Sequence, residues 1–130
     1  MTKIIITEKQ FYNLFNPTTK EELRAFFIAR INQRYVKQNI HFKIGQTTKT
    51  IEERFAAGHC KEYDGIDELF VSENKELIEY LEYELTKNFM GSKFNCDNER
   101  EGGEDMITSD SGNYTLYVVY KNYKKSKPKI

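Results

Sequence analysis

The apolar positions change their spacing several times along the chain, and each change marks an element. Residues 4–6 are an apolar run that reads as a short strand. Thr7 and Gln10 make a capping-box signal, and Phe11, Leu14 and Phe15 follow at helical spacing until Asn16-Pro17 ends the turn. Thr19 and Glu22 repeat the signal. The stretch after them, LRAFFIARINQRYV over residues 23–36, stays open. It holds helix formers, but FFIARI also reads as a buried strand, and its apolar residues fall all round a helical wheel.

The pattern then sharpens. In residues 40–47, Ile40, Phe42 and Ile44 alternate with His41 and Lys43, which predicts a half-buried strand ending at Gly45. Thr50 and Glu53 form a third capping-box signal. Gly58 suits a helix end, so a short helix is expected over 51–57. Residues 69–71 read as a short strand. From a cap at Ser72 or Asn74, residues 75–89 carry the apolar stripe Leu77, Ile78, Leu81, Leu85, Phe89, an amphipathic helix. Glu82 and Glu84 flank that stripe, with Glu79 and Tyr83 on the face expected to be solvated. Residues 90–113 are polar and glycine-bearing, hence loop. Residues 114–120 alternate Leu116, Val118 and Tyr120 against Thr115, Tyr117 and Val119, a strand. The expected class is α+β: a small central, mostly antiparallel sheet flanked by helices.

Composition narrows the function classes. At 130 residues the chain is long enough for one domain with its own core. Nine Tyr and nine Phe argue against disorder despite 31% charged residues. No apolar run approaches the roughly 20 residues of a membrane span, and residues 4–6 are too short for a secretory core. Cys60 and Cys96 give no disulfide framework. With His41 and His59 they have no usual zinc-site spacing. A soluble, cytoplasmic protein is the expectation. Twenty basic and twenty acidic side chains cancel, so there is no global basic surface, but the charge is uneven. Residues 97–105 hold five acids and one base, and residues 121–130 hold five lysines and no acid. The tail reads either as a frayed end or as a phosphate-contacting arm.

No P-loop, G-x-G-x-x-G, G-x-S-x-G or C-x-x-C is present. What stands out is an ordered series: KIGQT at 43–47, TIEERF at 50–55, LEYELTKNF at 81–89 and SKFN at 92–95. This series resembles the GIY-YIG nuclease superfamily, in the branch whose second motif reads K-I-G. The resemblance covers residues 25–95. It implies a metal-dependent DNA endonuclease with Lys43-Ile44-Gly45 as the second motif. It also implies Arg54 as the phosphate-binding arginine, Glu82 as the ligand of one Mg²⁺ or Mn²⁺, and Asn95 as the asparagine that follows the glutamate helix. For the first motif, Ala25-Phe26-Phe27 on a strand paired with HFKIGQ is the better positional match. That puts Phe27 in the slot of the tyrosine near the nucleophilic water. Arg34-Tyr35-Val36 is the other match and keeps a tyrosine, so Tyr35 remains a functional candidate. His59 falls where some members of the family place a proton acceptor.

The chemistry explains these residue types. A guanidinium donates two hydrogen bonds to phosphate oxygens, a carboxylate-held divalent ion stabilises the leaving oxygen, and a phenol or imidazole takes the proton from water. Lys43, Arg54, Arg34, Lys121, Lys124 and Lys125 are the expected nucleic-acid contacts, with DNA as partner, no membrane, and a homodimer left open. The expected organisation is an extension over 1–22 packed on the core, a nuclease-like domain over 23–120 and a basic tail over 121–130. Small size and abundant Lys, Asn and Tyr are compatible with a phage or mobile-element protein. Two other readings stay open. One is a catalytically weak or inactive nucleic-acid- or protein-binding module, motivated by the missing tyrosine pair. The other is an unrelated α/β module in which Lys43, Arg54 and Glu82 are structural.

Overall fold

The structure, a computed structural model, describes residues 19–90, 94–99 and 109–121. The elements expected over 4–6 and 7–15, Lys124 and Lys125 lie outside these residues. Helix α1 spans Lys20–Ile31 and continues into a π-helical turn, Asn32–Val36. Strand β1 is His41–Thr47, helix α2 Ile51–Ala56, strand β2 Gly65–Ser72, helix α3 Lys75–Phe89 and strand β3 Tyr114–Lys121. The three strands form one antiparallel sheet in the order β1-β3-β2. The expected α+β class, with a small antiparallel sheet and helices, is what is observed.

The caps act as expected. Thr19 accepts from the Glu22 amide at the start of α1. Thr50 and Glu53 make the reciprocal capping box of α2. Asn74, rather than Ser72, caps α3. Gly58 has an extended φ of −176°, so the end of α2 does not depend on glycine.

FFIARI is helical, and so is the RYV stretch, which lies in the π turn. Neither expected first-motif strand exists. The reason is competition for the edges of β1. One edge is taken by β3, with Gly45 opposite Tyr117 and Lys43 opposite Val119. The other is closed by residues 95–98. The Phe42 amide donates to the Asn95 carbonyl, the Asp97 amide donates to the Phe42 carbonyl, and the Asn98 side chain bonds both N and O of Ile44. Such closure also removes a sticky sheet edge. In the helix, burial falls on every fourth residue: Leu23, Phe27, Ile31 and Tyr35. Phe26 and Ile28 are only partly covered, which blurred the helical stripe in the sequence. Helix α1 begins at Lys20, ahead of the expected domain boundary at residue 23.

Two cores lie on opposite faces of the sheet. The larger packs α1 and α3 against Phe42, Ile44, Leu116 and Val118. The smaller packs Ile51 and Phe55 of α2, with Tyr63 and Ile66, against Tyr117 and Val119. Strand β2 is longer than the expected 69–71. A register irregularity between Glu68 and Phe70 turns both Leu69 and Phe70 into the larger core. Among the described residues no helix is long and apolar enough to cross a membrane.

Candidate active site

The α2 face of the sheet brings together residues from four segments. β3 supplies Tyr117, β1 supplies Lys43 and Gly45, α2 supplies Arg54, and the short 3₁₀ turn His59–Lys61 supplies His59. The Tyr117 ring is 3% exposed. It lies directly across Gly45: a Cβ on Gly45 would sit 2.4 Å from Cζ and from the hydroxyl of Tyr117. Only a residue without a side chain admits the ring there, which gives the G of K-I-G a packing reason.

Two groups converge on the phenol. Arg54 Nε donates to the Tyr117 hydroxyl at 3.1 Å, and His59 Nε2 lies 3.1 Å from the same oxygen. Burial pushes the Tyr117 phenol up, while the charge and hydrogen bond of Arg54 pull it down and Glu82 adds a smaller upward push. Burial also pushes the His59 imidazole below its ordinary value, helped by the charges of Arg54 and Lys43 and opposed by Glu62. At neutral pH His59 is therefore an uncharged acceptor. With its proton on Nδ1, Nε2 accepts the Tyr117 O–H. The arrangement can pass a proton from the phenol to the imidazole while Arg54 steadies the developing phenolate. Because Arg54 uses Nε on Tyr117, its two terminal nitrogens remain for an anion.

Glu82 sits half-buried on α3, near enough for its charge to act on Tyr117. Among the described residues no group of three or more His, Cys, Asp and Glu side chains converges. One glutamate on a rigid helix still fits Mg²⁺, which keeps several waters and commonly takes one or two carboxylates besides substrate phosphate.

The other expected residues fall elsewhere. Phe27 is fully buried in the larger core, in a helix, with no route to a water. Tyr35 is also in that core, and its hydroxyl is bonded to Asp67. Arg34 lies beside the same Asp67 at 3.6 Å, with a side chain only 13% exposed, and so presents no phosphate-contacting surface. Asn95 adopts φ 61° and donates to Asn39 at 2.7 Å, the partner being likewise left-handed; the pair clasps the entry to β1, away from Gly45. Glu79, expected on a solvated face, has a side chain only 15% exposed, near Lys75. Cys96 is a buried thiol pushed up to about 11 by that burial, and Cys60 is exposed.

The residue missed in the sequence is Tyr117. Its signal in the sequence is the strand pattern that leaves Thr115, Tyr117 and Val119 on one face. Comparison with family models, curated proteins and solved structures yields no match.

Proposed function

We propose that the chain is a metal-dependent DNA endonuclease with a GIY-YIG-like site whose first-motif strand comes last in the sequence. In this reading Thr115-Leu116-Tyr117 on β3 takes the role expected of Ala25-Phe26-Phe27, and Lys43-Ile44-Gly45 on β1 is the second motif. The observation that carries it is the Tyr117 hydroxyl, laid over Gly45 and bonded by both Arg54 and His59. In a small sheet, what matters to a site is which strands are neighbours, not the order in which the chain visits them.

Tyr117 takes a proton from the attacking water as its own passes to His59. Arg54 stabilises the phenolate through Nε and contacts a non-bridging phosphate oxygen through its terminal nitrogens. Lys43, exposed on the same face, adds positive charge beside the phosphate. Glu82 would hold Mg²⁺ or Mn²⁺, whose part is to stabilise the departing oxygen. The inactive-module alternative rested on the missing tyrosine, which Tyr117 supplies in this reading.

The test is cleavage of plasmid and oligonucleotide DNA with Mg²⁺ or Mn²⁺. Arg54→Lys and Glu82→Gln should each cut the rate by ~10²-fold or more with melting nearly unchanged, since a point charge or a neutral amide cannot replace either group. Cleavage untouched by both changes would reject the assignment. Gly45→Ala forces the Tyr117 ring to move and should cost ~10²-fold, a loss of alignment rather than of any functional group. The pH profile is also fixed in sign. A His59 held below its ordinary value stays neutral as pH falls past about 6.5, so the acid limb of kcat should lie below that pH. An acid limb above 7 would remove His59 from the proton path.

A further inference from the structure

His59 stands on a single 3₁₀ turn, His59–Lys61, whereas Tyr117 and Lys43 are carried by strands. The Glu62 and Tyr63 amides both donate to the His59 carbonyl, at 3.0 and 2.9 Å. These bonds fix the main chain but do not set the torsions of the imidazole itself. A ring that takes a proton through Nε2 needs a further hold on its orientation.

Two phenol rings flank it. The Tyr117 ring lies 5.7 Å from the imidazole, tilted by 60°, and the Tyr63 ring lies 5.9 Å away in a T-shaped contact at 78°. Tyr63 is 8% exposed and is itself tied down. Its hydroxyl donates to Asp97 Oδ2 at 2.9 Å, and the Asp64 amide beside it donates to the Tyr120 carbonyl at 2.8 Å. Lys121 Nζ sits 5.8 Å from the centre of the Tyr63 ring. Burial pushes the Tyr63 phenol up, and the hydrogen bond and charge of Asp97 push the same way, joined by Glu62, so it remains a donor at neutral pH. Asp97 is fixed in turn. Its amide donates to the Phe42 carbonyl at 2.7 Å, and its Oδ1 faces His41 Nδ1 at 3.3 Å. The charges of Arg54, Lys43 and Glu62 bear on the His59 imidazole directly, whereas Asp97 reaches it through the Tyr63 ring.

We propose that Tyr63 and Asp97 are positioning residues of the site: Asp97 anchors the Tyr63 hydroxyl, and the Tyr63 ring holds the His59 imidazole with Nε2 on the Tyr117 hydroxyl. For turnover this rests on the nuclease reading, but the orientation of His59 can be read without cleavage.

The imidazole ¹⁵N shifts of His59 in the full chain, at pH ~8 where the ring is neutral, report its tautomer. The wild-type protein should show one dominant form, with Nδ1 protonated and Nε2 the acceptor. Asp97→Ala and Tyr63→Leu should draw the two shifts together as the ring samples other orientations. Asp97→Asn should keep the wild-type pattern, because its amide oxygen still accepts from Tyr63. If Tyr63→Leu does not fold, Tyr63→Phe replaces it: the ring stays, the anchor is lost, and the shifts should match those of Asp97→Ala. Shifts unmoved by Asp97→Ala and the Tyr63 variant overturn the proposal. So does an effect of Asp97→Asn as large as that of Asp97→Ala. In cleavage, Asp97→Ala and Tyr63→Phe should each lower kcat ~10-fold with KM unchanged, and neither should lower it further once His59 is alanine. A loss that persists without His59 would also overturn it. If the shifts move as stated but no metal supports cleavage, the positioning role stands and the nuclease reading fails. If the protein cleaves DNA while these variants leave both the shifts and kcat unmoved, the positioning role fails and the nuclease reading stands.

Discussion

Tyr117→Phe is expected to reduce DNA cleavage by ~10²–10⁴-fold, the usual contribution of a positioned proton-transfer group. The change removes one oxygen from a ring that stays where it is. Phe fills the same space over Gly45 and keeps the contacts with Ile51, Tyr63 and Val119. What it loses is the acceptor for Arg54 Nε and the partner of His59 Nε2. Those two groups are half-buried rather than sealed, so the stability cost should be only about 1 kcal/mol. The predicted signature is therefore a large loss of rate with melting almost intact. Tyr35→Phe is the matching control. Its hydroxyl serves Asp67 in the other core, so it should lower stability and leave the rate of the folded protein alone. If Tyr35→Phe and Tyr117→Phe exchanged these roles, the site would be on the wrong face of the sheet. His59→Ala should be milder than Tyr117→Phe, because solvent can take a proton that the imidazole no longer receives.

The contrast between these tyrosines shows what could be read from the sequence. Local signals were legible. The caps at Thr19, Thr50 and Asn74, the amphipathic α3 and the alternation of β1 and β3 follow from side chains a few residues apart. Lys43, Gly45, Arg54 and His59 all fall within the short stretch 43–59, where the signals for strand β1 and helix α2 are local. The strand partner of β1 was not legible. Nothing in residues 40–47 states that residues 114–121, some seventy positions later, will pair with them rather than residues 23–36 just before. That choice is tertiary. The Thr19 cap and the every-fourth-residue burial of Leu23, Phe27, Ile31 and Tyr35 favour helix in the nearer segment. Residues 95–98 then close the edge that a second strand would need. Asn95 misled for the same reason. Its spacing after the glutamate helix matched, but its left-handed backbone turns it toward Asn39.

Asp67→Ala should be the most destabilising single change, by about 3–5 kcal/mol, the cost of stripping one partner from a buried charge pair. Asp67 projects from β2 into the α1 side of the sheet, where its side chain is 7% exposed. It accepts the Tyr35 hydroxyl and faces Arg34 Nη2 at 3.6 Å. Arg30 is close enough to feel both. Burial and the Arg34 charge push its guanidinium down, and Tyr35 and Asp67 oppose that push. One carboxylate thus offsets two guanidiniums, and removing it leaves both in a poorly solvated place while orphaning a phenol that is 1% exposed. For a domain of this size, a loss of that order lowers the melting temperature by roughly 10–20 °C. Asp67→Asn should fall between, since an amide still accepts from Tyr35 but carries no charge. The double change Asp67→Leu with Arg34→Met should cost less than Asp67→Ala alone, because no unpaired charge is then left behind. Below the melting range, Asp67→Ala should cleave at nearly the wild-type rate, since Tyr117 and Arg54 lie on the opposite face. A fall in rate without a fall in stability would mean that the two faces are coupled through β3. That strand carries residues of both, with Val118 opposite Asp67 and Tyr117 opposite Gly45.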